Sequence, residues 1–254
     1  MFALRDQCYD PALPRARVFD FFRPDTDERV PLVILIHGGG WISQDKHVYR
    51  DEALWLAQQG YAAACISYRL APLNPFPAAV ADVQAFVKYV RRGEHEFNID
   101  PARIVAFGNS AGGHLACMAG VCEAEIDTND LAERPNAVVS LCGITDIRGY
   151  EKTHFPISFS FVEQFMGGPE RDMPEAYALA SPLTHVKEGA PPFVIVHGTD
   201  DEVVPVEQSR ALYSSLCSVG APAQLHEFSG EGHSYSYEAW IRIRELTLEL
   251  LDTL

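Results

Sequence analysis

The six residues LVILIH, Leu32–His37, constrain the fold of this chain most. Five of them are Leu, Val or Ile without interruption. Successive strand residues point to opposite faces, so a half-wet strand alternates apolar with polar. An unbroken apolar run therefore marks a strand covered on both faces, the situation of a parallel sheet carrying helices on each side. Runs of the same kind recur: RVFDFF (17–22), YAAACISY (61–68), RIVAFG (103–108), AVVSLCG (137–143), PFVIVHG (192–198) and AQLHEF (223–228). Between them lie helical patterns. HVYRDEALWLAQQG ends at Gly60, a natural helix stop. FPAAVADVQAFVKYVRR places Val80, Val83, Phe86, Val87 and Val90 at steps of three and four and closes on two arginines at the negative end of the dipole. Further helices are expected from about Ala111, near Val206–Val219 and from about Tyr235. Strand and helix in alternation predict an α/β fold with a mostly parallel central sheet and helices on both faces.

The chain of 254 residues reads as a single domain, 1–254. Residues 143–190 break the rhythm, because no strand is evident there and a parallel crossover needs only about a dozen residues. In open α/β sheets ligands bind beyond the carboxyl ends of the strands, so this insertion is expected to form a lid or small cap. The net charge of −15 sets aside nucleic acid and anionic membranes as partners. No apolar run approaches the roughly 18 residues of a membrane span, and MFALRDQCYD lacks the charged and apolar regions of a leader. None of the six cysteines forms a C-x-x-C pair, which argues against a zinc or redox site. A reduced, cytoplasmic protein is expected.

One motif carries chemistry. Gly108-Asn109-Ser110-Ala111-Gly112 is G-x-S-x-G placed between a strand and a helix, the context a nucleophile elbow requires. A serine hydroxyl needs a base to take its proton, and histidine fits best near neutrality. The elbow design orders the chain as serine, acid, histidine, leaving His114, His154, His185, His197, His226 and His233. His233 sits in the glycine-bracketed loop SGEGHSY after the last strand, where an imidazole can reach the serine. His114 is expected to pack or bond locally. The acid belongs after the preceding strand, where HGTDDEVVP offers Asp200, Asp201 and Glu202. Spacing alone does not choose among them. Asp146 in CGITDI reads as a turn residue.

Taken together, the elbow, HGGGW, SYRLAP, FPAAVADV, SPLTHV and HGTDDEVVP resemble the α/β-hydrolase superfamily. More narrowly they are similar to hormone-sensitive-lipase-like esterases of the small bacterial feruloyl-esterase-like and kynurenine-formamidase-like branch. The resemblance runs from about Val18 to the C-terminus. It implies the α/β-hydrolase fold. Its acid loop, H-G-x-x-D-x-x-V-P, falls on His197, Gly198, Asp201, Val204 and Pro205, and so implies Asp201 as the acid; its glycine–histidine pair falls on Gly232–His233. Two departures stand out. Only 36 residues precede His37, too few for the helical cap of larger relatives. Asn109 stands where many relatives have Asp.

In this fold the loop after the LVILIH strand faces the elbow. Its glycines let backbone N–H groups approach a developing oxyanion, so Gly38 and Gly39, with Ala111, are the expected donors. Trp41 is expected at the pocket edge. Phe155, Phe159 and Phe161 of the insertion, with Phe165 and Met166, read equally as an apolar wall for an acyl or aryl group or as packing against the body. The expectation is a serine carboxylesterase with Ser110, Asp201 and His233 as its triad, acting on small soluble esters of short or aromatic acyl groups, acetyl or feruloyl by resemblance. An arylformamidase acting on N-formylkynurenine with the same triad is the alternative, and a non-catalytic small-molecule binder is the reading of another class. No cofactor or metal is implied. A homodimer is compatible with the sequence, which does not give the oligomeric state.

Overall fold

The LVILIH segment lies at the centre of an eight-stranded sheet. In this computed structural model, which describes residues 1–93, 97–124, 126 and 133–254, the elements run β1 (Phe2–Cys8), β2 (Val18–Arg23), β3 (Val30–Ile36), α1 (Arg50–Gln58), β4 (Ala62–Ile66), α2 (Ala78–Arg92), β5 (Ile99–Asn109), α3 (Ala111–Val121), β6 (Ala137–Leu141), α4 (Tyr150–Thr153), α5 (Pro156–Met166), α6 (Pro174–Leu179), β7 (Phe193–Gly198), α7 (Glu207–Ser218), β8 (Ala223–Phe228) and α8 (Tyr237–Asp252). The sheet order is β1-β2-β4-β3-β5-β6-β7-β8. Only β1 with β2 and β2 with β4 are antiparallel; every other pair is parallel.

Both faces of β3 are covered, as its composition requires. Leu32, Ile34 and Ile36 pack with Val80, Val83 and Phe86 of α2. Val33 and Leu35 point the other way, to Ala53 and Leu56 of α1 and to Ile243 and Leu246 of α8. The apolar stripe of α2 is the face that meets the sheet, and Gly93 closes that helix with φ +66°.

β1 was not legible from the sequence. It is a wet edge strand whose residues are exposed or half-buried, so no burial pattern marks it. A bulge between Leu4 and Gln7, with Asp6 at φ 51°, twists this edge and discourages pairing with another chain. Arg69 of SYRLAP finds a partner the sequence did not name: its Nη2 and the Nε of Arg17 both donate to Asp82 Oδ1 at 2.7 Å. Asp82 is fully buried, so these two cations offset the cost of placing its charge in the interior.

Among the described residues, 143–190 carry α4, α5, α6 and short turns but no strand. The insertion is fastened to the body at several points. Phe76 N–H donates to Phe165 O at 2.6 Å, and Ser158 Oγ donates to Val203 O at 2.7 Å. No helix among the described residues is long and apolar enough to cross a membrane.

Candidate active site

Ser110 ends β5 and opens α3. Its backbone sits at φ 53°, ψ −122°, a region that costs a non-glycine residue strain and that turns the chain sharply. Ser110 N–H is held by Leu141 O at 2.8 Å, and its carbonyl accepts from His114 N–H at 2.9 Å. Such a turn leaves no room beside it. A Cβ on Gly108 would lie 2.3 Å from Gly112 O, and one on Gly112 would lie 2.0 Å from Ile36 O. Both obstacles are backbone and cannot swing aside. Gly112→Ala is therefore expected to lower stability by about 3 kcal/mol or more, read as a fall in the urea midpoint. An unchanged midpoint would mean that the elbow can open at no cost.

The acid loop after β7 presents three carboxyl groups, and the fold separates them by burial. Asp200 and Glu202 are exposed, whereas Asp201 is 5% exposed. Asp201 Oδ1 accepts the N–H groups of Val203 and Val204, each at 2.8 Å. Oδ2 accepts from His233 Nδ1 at 2.7 Å and from His197 Nε2 at 3.2 Å. Burial alone would raise the pKa of this carboxyl. The bonds from His197, His233 and the Val204 N–H outweigh it and hold Asp201 well below the usual carboxylate range. It is an anion at any working pH.

His197 supports this arrangement from below. Ser209 Oγ donates to its Nδ1 at 2.7 Å, and its Nε2 also donates to Val204 O at 2.9 Å. The imidazole is thereby fixed as the Nε2–H tautomer, aimed at Asp201. Asp201 thus lies between two imidazoles, one fully buried and one, His233, with its side chain 23% exposed. Burial pushes His233 toward the neutral form, but Asp201 and the adjacent Cys142 push it further the other way, so its pKa is raised above the ordinary value. Ser110 Oγ and the His233 imidazole are not hydrogen-bonded to each other.

The glycine loop faces the elbow. Gly39 and Gly40 have φ +88° and +60°. Gly39 O accepts from Ile42 N–H and Ser43 N–H, both at 3.1 Å, which curls the loop on itself. Tyr68 of SYRLAP holds it from the side. Its hydroxyl lies 3.0 Å from both His37 O and Gly38 O, and its ring stacks on His37 at 4.2 Å. Among the described residues, the N–H groups of Gly38, Gly39 and Ala111 donate to no protein acceptor.

The expected pocket residues separate. Trp41 is not at a pocket edge: it is 2% exposed and stacks on Phe165 at 4.4 Å. Its Nε1–H donates to His114 Nδ1 at 3.1 Å, and His114 Nε2–H donates to Ala180 O at 2.8 Å. His114 therefore does not bond locally. It ties the glycine loop, the elbow helix and the insertion together, and burial lowers its pKa to about 4, keeping it neutral. Phe155 is exposed, and Phe159 packs edge-on against Tyr150 at 5.3 Å within the insertion. Phe161 lies against the glycine loop, where a Cβ on Gly40 would come within 2.9 Å of its ring. Asp146 pairs with Arg148 at 2.7 Å across a turn, as the sequence implied.

Sequence reasoning missed Cys142. Its Sγ lies within 4.8 Å of the metal-ligating atoms of both Asp201 and His233, although no spacing rule links these three positions. Asn109 and His233 also line a cavity of about 360 Å³ with Tyr49, Asp51, Glu52 and Trp240. Tyr49 Oη donates to Asn109 Oδ1 at 2.8 Å, which sets the amide of the elbow's free position.

A serine in a strained turn after the fifth strand, with an acid and an imidazole hydrogen-bonded to each other on the loops after β7 and β8, is the design of the α/β-hydrolases, and this chain is one. Residues 19–216 match the BD-FAE family, and the chain belongs to it. It is similar to the probable carboxylic ester hydrolase LipM of Mycobacterium tuberculosis, 29% identical over 94% of this chain and 59% of LipM. Esterase LipQ of the same organism is 30% identical, with the same two coverages of 94% and 59%. The chain thus spans about three-fifths of the length of these two relatives. A solved truncated carbohydrate esterase from gut microbiota superposes with a TM-score of 0.86 at 24% identity, covering 99% of this chain and 97% of that one; at that identity the likeness is one of fold.

Proposed function

We propose that this chain is a serine carboxylesterase that cleaves small esters through an acyl-enzyme. The 2.7 Å bond from His233 Nδ1 to the buried Asp201 carboxylate carries the reading. That bond leaves Nε2 as the basic nitrogen and favours the imidazolium that forms when Ser110 gives up its proton. Ser110 Oγ attacks the ester carbonyl while His233 takes the proton. The carbonyl oxygen becomes an anion, for which Gly38, Gly39 and Ala111 offer unpaired backbone N–H groups. His233 then returns the proton to the leaving oxygen, and water repeats the sequence to free the acid.

The surroundings support small substrates. Phe161, against the glycine loop, bounds the acyl side. We assign the leaving alcohol to the cavity of about 360 Å³ that His233 lines, a volume near the lower end of ligand-sized pockets. Its lining of Trp240, Tyr49, Asp51 and the Glu52–Arg244 ion pair suits a neutral, hydroxylated alcohol such as a sugar. Residues 143–190, with Phe161 on α5, would serve as the lid.

A substrate panel tests this: p-nitrophenyl esters of increasing acyl length, feruloyl sugars and N-formylkynurenine. Turnover of short or feruloyl esters with a burst of alcohol is expected. Turnover of the formamide alone would replace the reading with an amidohydrolase, and no turnover together with no fluorophosphonate labelling would end the enzyme reading. The pH profile has a definite sign. Catalysis needs neutral His233, whose pKa is raised, so kcat/KM should fall with decreasing pH through a midpoint above the ordinary value of about 6.5. A midpoint below that value would contradict the pairing with Asp201.

A further inference from the structure

We propose that Cys142, Asp201 and His233 form a binding site for a thiophilic divalent cation such as Zn²⁺, and that its occupation shuts the active site. The ligating atoms of the three side chains lie within 4.8 Å of one another. They come from the loops after β6, β7 and β8, so the sheet itself sets their spacing. Cys142 is held firmly. Its backbone adopts φ 41°, and its N–H donates to Val196 O at 2.8 Å. This directs the thiol to the His233 loop, with Sγ 3.9 Å from His233 O.

The donor set decides the kind of ion. One sulfur, one imidazole nitrogen and one carboxylate oxygen suit Zn²⁺ or Cd²⁺, whereas Mg²⁺ and Ca²⁺ take oxygen ligands. Bonds of about 2.0–2.3 Å to a tetrahedral centre ask for ligand atoms roughly 3.3–3.8 Å apart. The widest separation in the cluster, at most 4.8 Å, exceeds that by roughly 1–1.5 Å, whereas His233 Nδ1 and Asp201 Oδ2, 2.7 Å apart, would have to part, so the ion needs a shift of the part-exposed His233 side chain. Its exposed edge is also the route of entry. The fourth position is left to water.

Binding forms bonds from the metal to sulfur, nitrogen and oxygen, and the thiol proton leaves to solvent. No electron changes hands. Loss of catalysis follows from whichever imidazole nitrogen is taken. At Nε2 the metal consumes the lone pair that would accept the Ser110 proton. At Nδ1 it breaks the bond to Asp201 and leaves the proton on Nε2, where it blocks the same acceptance. Inhibition as a readout rests on the esterase reading above; binding of the metal does not.

Two measurements test the site on the full chain after chelator treatment. Zn²⁺ titrated against p-nitrophenyl acetate hydrolysis should inhibit, EDTA should restore activity, and Mg²⁺ should do neither. Equilibrium dialysis of Zn²⁺ against Ser110→Ala, which needs no turnover, should show one ion per chain. Cys142→Ser should raise the Zn²⁺ concentration required in both experiments by on the order of tenfold or more. Binding to Ser110→Ala in the absence of any esterase activity in the parent would count against the proposed function and leave the metal site standing. Binding that is absent, or unchanged by Cys142→Ser, overturns the site. If Cys142→Ser does not fold, Co²⁺ bound to Ser110→Ala decides: a sulfur-to-cobalt charge-transfer band supports the site, and its absence rejects it.

Discussion

Ser110→Ala is expected to lower turnover of p-nitrophenyl acetate by about 10⁶-fold, the scale seen when a triad serine is removed elsewhere, and to abolish fluorophosphonate labelling. The elbow is the reason for so large an effect. Ser110 is presented by a strained turn whose flanking glycines leave no room for a side chain, and the proposed oxyanion donors can act only on a carbonyl attacked from that point. The fold should survive. Ser110 Oγ forms no hydrogen bond within the described residues, and alanine meets the same φ restriction that serine already accepts. Circular dichroism and the thermal midpoint should therefore match the parent. Labelling that persists in the variant would place the nucleophile on another side chain.

Asp201→Asn should reduce kcat by roughly 10⁴-fold, as expected when the acid of a triad becomes an amide. The geometry explains both the loss and a second effect. Asparagine can still accept the Val203 and Val204 N–H groups through one oxygen. Its NH₂ must then face His233 Nδ1 and His197 Nε2, which both donate to the carboxylate in the parent. His233 is forced toward the tautomer with its proton on Nε2, the nitrogen that has to accept from Ser110. His197 cannot yield easily, because Ser209 and Val204 O fix its proton from the other side. A buried donor facing a donor costs about 1–3 kcal/mol, so stability should fall as well. Asp200→Asn is the control: Asp200 is exposed, and its variant should keep both activity and stability. Equal losses in the two variants would remove Asp201 from its assigned role.

The parts of this site that the sequence revealed are those encoded in a few neighbouring residues. G-x-S-x-G between strand and helix is local because the turn that presents Ser110 is local. The resemblance pointed to Asp201, yet the residues alone left Asp200, Asp201 and Glu202 equal. Their ranking is a matter of burial, which adjacent positions on a loop do not announce. The same limit applies to Trp41. A tryptophan beside three glycines looks like a pocket edge until α5 brings Phe165 over it and α3 brings His114 under it. His197 was readable as a motif residue but not as the group that braces Asp201, because its partner Ser209 lies on α7.

By itself, the sequence determined the parallel α/β architecture, the elbow serine and the glycine loop, because apolar runs and turn residues record burial and backbone conformation position by position. The tertiary structure alone decided which carboxyl becomes the buried anion, that His114 and Trp41 tie the insertion to the site, and that Cys142 comes to lie against His233 and Asp201. Those outcomes depend on which loops the strand order β5-β6-β7-β8 sets side by side, and proximity across neighbouring strands leaves no periodic trace along the chain.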